Sequence, residues 1–528
     1  MRFSTLLLGV SLTAIAVPAA AQTTTTRDGT MATVRVTTTA PVQAEAAPQP
    51  TTTMRDALVA TYNTNPDLQG ERATQRANDE NVPIARSQGL PGVNSTSAFS
   101  NGIYDTDSNP LAPSRRGSVG LDLSMPVYSG GAVRNSVRAA ETRVEAGRAN
   151  LRGVEAEIFT QAVTVYVDVI RDESIVRLNQ SNVRALTVNL QATRDRFEVG
   201  DLTRTDVAQS EARLALAEGQ LRSAEARLIG SRENYIRVIG SPPGVLAQPP
   251  ALPNLPDDVV VAEDTAIANN PNLEAAQKAR DATRFDIDVA KAARLPKVSV
   301  GVGGDYYNYL GSVPSQAALP VGSRTAADGF STTLGANLTL PLFQGGRPAA
   351  QIRQAQARRA AALEGVTFAE RGVISQARSA FATYQSSLRV IESSRVAVEA
   401  NRLSLEGVRA ENSVGTRTIL DILNAEQELL NSQVTYVTAE RDAYVSGFTL
   451  LAVMGRAEAE DLGLEGGPLY DPVANYTRVR GKIWDWGDDK DPEALGTSTR
   501  GTPTQNPNVT TPLDPLLQRP VDSTRTNP

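Results

Sequence analysis

The sequence contains no cysteine and no histidine. Disulfides, thiol nucleophiles, imidazole acid–base chemistry and zinc sites built from these residues are therefore excluded. Lysine occurs only at positions 278, 291, 297, 482 and 490, and none follows a glycine-rich turn as a phosphate-binding loop requires. Gly301, Gly303 and Gly304 lead into Tyr306 and Tyr307 rather than into a helix, so they do not form a nucleotide site. An enzyme is the weakest reading of this residue set, and no cofactor or metal site is expected. Basic residues are scattered and the net charge is −6, which gives nucleic acid no surface to grip. Aromatics make up only 5% of the chain. Beyond the N-terminus no apolar run reaches the roughly 18 residues of a spanning helix. If this chain crosses a membrane, it crosses with strands.

What is abundant is Ala, Arg, Glu, Gln, Thr and Ser, a mix suited to long, water-facing helices joined along a narrow seam. The N-terminus predicts a signal peptide over residues 1–21: Arg2, an apolar run from Leu6 to Val17, then Ala19, Ala20 and Ala21 before Gln22. With no cysteine after it, a thioether lipid anchor is not expected. Residues 22–53 are Thr, Ala, Pro and Gln with few large apolar groups and read as a disordered lead-in.

The most informative stretch is VGTRTILDILNAE, from Val414 to Glu426. Its frame occurs earlier, in VGDLTRTDVAQSE from Val199 to Glu211. Gly200, Thr203, Asp206 and Glu211 stand 215 residues before Gly415, Thr418, Asp421 and Glu426. Each copy reads as a glycine helix stop followed by a threonine-capped helix start with a carboxylate in its first turn. Other segments also recur. Leu90-Pro91-Gly92-Val93 matches Leu295-Pro296-Lys297-Val298, and Met125-Pro126-Val127-Tyr128 matches Leu340-Pro341-Leu342-Phe343. The chain is thus one unit written twice, over 54–240 and 259–455 with a linker at 241–258.

Within each unit the pattern predicts a strand hairpin, at about 93–128 and about 297–343. Val119, Leu121, Leu123, Met125 and Val127 alternate with Gly120, Asp122 and Ser124, and their twins from Leu334 to Leu342 do likewise, a period-2 signal with one apolar face. Long helices follow over 131–198 and 346–413, each a rod of roughly 100 Å with coiled-coil spacing of small residues. Each turns at a tip, 199–206 or 414–421, and returns by a shorter helix to 240 or 455. Residues 456–495, with Tyr470, Tyr476, Trp484 and Trp486, read as a segment wrapping the middle of the helical body and packing on it. Residues 496–528 read as a disordered tail. Four strands cannot close a barrel, for which about 8 is the practical minimum, and lipid tolerates no unpaired edge. Copies of the chain must complete it, in a number the residues leave open. A filamentous or adhesive trimeric coiled coil at the cell surface explains the rods but leaves the hairpins idle, and a simple porin has no use for the rods.

The signal peptide, the duplicated unit and both tips resemble the TolC-type outer membrane efflux family of Gram-negative bacteria, over about residues 54–465. The resemblance implies a mixed α and β membrane protein: a homotrimeric 12-stranded outer membrane β-barrel, with four strands per chain, continuous with a periplasmic α-helical coiled-coil barrel. It implies an exit duct for drug efflux or type I protein secretion, docked on a periplasmic adaptor and an inner-membrane pump or exporter, and bathed in outer membrane lipid. Thr205, Asp206 and Arg417 match the family's periplasmic latch, with Asn412 where a tyrosine is usual. Asp421 matches the acidic pore constriction, whose second position is here Asn424. Three Asp421 carboxylates round one axis would favour cations, less strongly than a ring carrying both acids. Val199, Gly200, Thr203, Val414, Gly415 and Thr418 fall at the tips that contact the adaptor.

Overall fold

The computed structural model describes residues 51–103, 113–313, 326–464, 469–509, 511 and 513–518. The expected signal peptide, most of the lead-in and the last ten residues lie outside these. Thr51–Thr52, expected to belong to a disordered lead-in, instead form strand β1, parallel to β4 (Val245–Leu246). The Tyr166 hydroxyl lies 2.9 Å from the Thr52 carbonyl and 2.7 Å from that of Ala247, which pins the pair to the helical body.

Three short helices, α1 (Met54–Thr64), α2 (Pro66–Asp79) and α3 (Asn81–Ser87), lead into β2 (Gly92–Asn101) and β3 (Arg115–Tyr128). Then come the long helix α4 (Ala132–Glu198) and its return α5 (Arg204–Ile239). The second unit repeats this order: α6 (Val259–Asn269), α7 (Pro271–Ala292), β5 (Lys297–Asn308), β6 (Asp328–Thr339), α8 (Arg347–Ser413) and α9 (Ile419–Val453). A last helix, α10, spans Pro472–Val479.

Both long helices are 67 residues with no internal proline; the one proline, Pro348 of α8, sits in the first turn where it is tolerated. An Asn-Pro pair fixes each unit's second helix. Asn65 caps α2 through the amides of Asp67 and Leu68 and donates to the Val238 carbonyl at the end of α5. Asn270 caps α7 and donates to Val453 at the end of α9 in the same way. Both asparagines are buried, so one side chain closes a helix start and ties it to a helix end. The main core lies around mid-α4, where Phe159, Tyr166, Val169 and Val176 meet Leu68, Leu228, Tyr235, Leu273, Phe448 and Leu450. Each such side chain contributes about 1.5–3 kcal/mol by leaving water.

The four long strands form one antiparallel sheet in the order β2-β3-β5-β6. Register decides its faces. Val119, Leu121, Leu123 and Met125 stand opposite Tyr306, Gly304, Val302 and Val300, which in turn oppose Phe330, Thr332, Leu334 and Ala336. The other face carries Gly120, Asp122 and Ser124, then Asp305, Gly303 and Gly301, then Ser331, Thr333 and Gly335. One face is thus apolar and open, the other small and polar. Among the described residues, strands β2 and β6 each pair on one side only.

The C-terminal segment departs from expectation. Of residues 496–528, read as disordered, those described up to 518 lie along the rods. Arg232 donates to the carbonyls of Asn506 and Asn508, Arg177 to Thr511, and Gln433 to the Leu517 carbonyl. Leu517 is buried against Leu178, Leu430 and Val437. The attachment is made largely to main-chain carbonyls, which any composition can supply. Conversely, Trp484 and Trp486 do not pack on the helical body but stand exposed, and α10 lies against α2 and the first third of α4 rather than at mid-rod.

Candidate functional site

The two tips share one construction. Gly200 and Gly415 take the left-handed conformation at φ +83° and +81° that stops a helix. The following amides, of Asp201 and Thr416, reach back to the carbonyls of Arg196 and Glu411. Thr203 and Thr418 then cap the return helices, each in a reciprocal box. Asp206 Oδ2 accepts from the Thr203 amide at 2.9 Å and hydroxyl at 2.7 Å, and Asp421 Oδ2 from those of Thr418 at 3.0 and 2.8 Å. These hydrogen bonds, the hydroxyl's first, hold both carboxyls below the usual aspartate range. Between stop and cap Val199 and Val414 project into solvent, 79% and 75% exposed. Two bare valines beside two turns of fixed geometry present an apolar knob at the end of each hairpin.

Of the expected latch residues, the chain joins Asn412 to Arg417, and among the described residues it brings neither to Asp206. Arg417 Nε donates to Glu411 at 2.7 Å, an exposed pair on its own hairpin that also raises the guanidinium's pKa. Asn412 Nδ2 donates to the Arg417 carbonyl at 2.7 Å and braces the same turn. Among the described residues Arg417 makes no ion pair with Asp206, whose carboxylate is held by its own cap. Thr205 is exposed beside it. Asn424, expected to mark a missing acid, accepts from Arg213 Nη2 of α5 at 2.8 Å. That bond ties the two return helices together next to Leu423, which is buried against Leu186 and Ala217.

Sequence reasoning missed one pair of contacts that the 215-residue offset could have revealed. Arg194 Nη2 meets Glu211 Oε1 at 2.6 Å across the first hairpin, and Arg409 Nη2 meets Glu426 Oε1 at 2.5 Å across the second. The first pair is half exposed on both sides, at 49% and 50%. In the second, Glu426 is 1% exposed. The same clamp is therefore a surface contact in one hairpin and a buried one in the other.

A family profile described as outer membrane efflux protein matches residues 58–241 and 263–456, the two repeats. The outer membrane efflux protein BepC of Brucella suis is 33% identical over 81% of this chain and 91% of its own length. The outer membrane protein TolC of Escherichia coli is 25% identical over 78% of this chain and 83% of its own length. In fold, the chain is similar to the CmeC outer membrane channel of Campylobacter jejuni, with a TM-score of 0.67 at 14% identity, over 81% of this chain and 89% of that one. BepC and TolC are thus named as outer membrane proteins and CmeC as an outer membrane channel.

Proposed function

The chain belongs to the outer membrane efflux protein family, and from that premise we propose that three copies close one barrel in the outer membrane and one helical tunnel beneath it. The observation that carries this reading is the sheet: among the described residues, four strands with both edges unpaired and one apolar face exposed. A strand edge in lipid leaves main-chain groups unpaired, so β2 of one copy must meet β6 of the next. Three copies supply the 12 strands of a barrel with an open lumen. The helices ask for neighbours as well. Phe368, Val396 and Leu403 of α8 are exposed in the single chain, whereas α4 is enclosed by α5, α7 and α9. An adhesive coiled coil would leave the apolar sheet face without purpose.

The assembly works as a passive exit duct. Substrate moves through water, and a partner pump in the inner membrane, reached through a periplasmic adaptor, supplies the energy. Val199, Gly200 and Thr203 with Val414, Gly415 and Thr418 form the knobs on which the adaptor docks. Arg417, braced by Asn412, engages Thr205 and Asp206 of the adjacent chain as the periplasmic latch. Its pair with Glu411 is exposed and screened by water, so exchanging that partner costs little. Asp421 lines the constriction. At the second position Asn424 is neutral and bonded to Arg213, so the ring holds cations less firmly than two acids would. Planar-bilayer conductance tests the latch. Arg417→Ser with Asp206→Ala should raise the closed-state conductance severalfold; an unchanged conductance with the trimer intact removes the assignment.

A further inference from the structure

Both tryptophans of the chain lie in Ile483-Trp484-Asp485-Trp486, and neither the duct nor the tips use them. The path of the C-terminal segment places this tetrapeptide. The Tyr470 amide donates to the Tyr62 hydroxyl, and the Arg72 guanidinium lies 5.0 Å over the Tyr470 ring. Asn475 donates to Asp79 at 2.8 Å, and the Arg480 carbonyl accepts from Arg86 at 3.2 Å. Residues 470, 475 and 480 thus climb beside residues 72, 79 and 86, in the direction that carries α2 and α3 into β2. The climb ends close to the sheet: Gly89 packs so tightly on Val133, in the first turn of α4, that an added Cβ would stand 2.9 Å from it. The chain then turns back. Asp489 pairs with Arg478 and Lys482 at 2.8 and 3.2 Å, and Gly496 rests against Pro66. Residues 483–487 are the apex of this excursion.

At the apex Ile483, Trp484 and Trp486 are 70%, 76% and 85% exposed. Below the paired strands Val127, Leu342 and Phe343 are also exposed, as is Ile84 of α3. We propose that Ile483, Trp484 and Trp486 form an anchor that seats in the phospholipid surface at the helix-side rim of the barrel. Indole suits that depth because its ring favours the apolar side while its N–H reaches water and headgroups. The loop is built to hold its side chains there. The Asp489 pairs clamp its two limbs, and Tyr476, with Arg148 at 5.0 Å and Arg480 at 5.7 Å from its ring, fixes its base. The anchor sets the depth of the barrel from outside the strands.

The inference rests on the sheet being the membrane-spanning part, and the test separates the two. Because these are the only tryptophans, emission from the full-length chain reports the loop alone. The protein is reconstituted in vesicles of phosphatidylethanolamine and phosphatidylglycerol carrying bromine either near the headgroup or at mid-chain. Shallow bromine should quench the emission roughly twofold and deep bromine much less; Trp484→Phe and Trp486→Phe then report each ring singly. A Leu334→Trp probe on the sheet, made with both native tryptophans replaced by Phe, serves as control. If the control is quenched and the native pair is not, the anchor is wrong and the barrel stands. If neither is quenched, the barrel reading fails. If the native pair is shielded from aqueous acrylamide yet blind to lipid bromine, a neighbouring chain or partner protein covers it, and the proposal is overturned.

Discussion

The duplicated clamp allows a comparison in which chemistry is constant and only burial differs. Arg409→Leu takes from the Glu426 carboxylate, 1% exposed, the Arg partner that lay 2.5 Å away. Removing one partner of a buried pair costs about 3–5 kcal/mol. Arg409 is itself 39% exposed, so some of its attraction is already screened, and we expect about 2–4 kcal/mol. Arg194→Leu breaks the equivalent contact where both groups are half in water, and such pairs contribute about 0.2–1 kcal/mol. Hydrogen exchange reads the difference, because tips open locally without global unfolding. At about 1.4 kcal/mol per decade, amides flanking Glu426 should lose about 30- to 700-fold of protection in Arg409→Leu. Those flanking Glu211 should lose less than about 5-fold in Arg194→Leu. Mass spectrometry of peptides over 405–430 and 190–215 in detergent micelles gives both numbers from matched samples. Equal losses in the two hairpins, or a larger loss in the first, refute the argument that burial sets the strength of this clamp.

The capping boxes predict an acid response of the tips. Folding lowers the pKa of Asp206 and Asp421 through bonds from Thr203 and Thr418. Their contribution is therefore complete above the unfolded aspartate value of about 4 and is lost as pH falls through the lower folded value. Tip amides should exchange faster below about pH 4, after correction for intrinsic rates, and Asp206→Asn with Asp421→Asn should flatten that dependence. Thr203→Ala and Thr418→Ala should each cost about 1 kcal/mol of local stability at neutral pH; no change in tip exchange would deny the caps a role. At the other end of the return helices, Asn65→Ala and Asn270→Ala each remove a helix cap and leave a carbonyl, of Val238 or Val453, without its partner. About 2–4 kcal/mol is expected in each case, seen as matching falls in thermal midpoint by circular dichroism. A drop in only one variant would show that the two junctions are not equivalent.

The architecture was legible where side chains repeat with a period. Alternation at Val119 to Val127 marks a strand whose face the register makes apolar, and the absence of internal proline over 132–198 lets one helix run the whole distance. The tips were legible because glycine and threonine act there through their own chemistry, a positive φ and a hydroxyl cap. Contacts between the repeats were not. Arg213 and Asn424 have Glu428 and Gln209 at the matching positions of the other unit, so nothing in the duplication points to their bond. The C-terminal segment was misread in both directions for one reason. Its Thr, Asn and Pro residues bind through main-chain carbonyls that leave no mark in composition, while its tryptophans, which composition assigns to a core, stand at the surface.

The two units keep the same caps, stops and Asn-Pro junctions but differ in how they are enclosed. Helix α4 is held by α5, α7 and α9, whereas α8 shows much of its apolar surface to solvent. A hairpin with less packing behind it depends more on the few buried contacts at its end. That places the stiffness of the second tip largely on Arg409 and Glu426, with Leu429, Leu405 and Val398 beneath them. The first tip has Leu186 and Ala217 buried beside Leu423 of α9 behind it. Local opening at the tips, read by amide exchange, should therefore respond more to loss of Arg409 in α8 than to loss of Arg194 in α4.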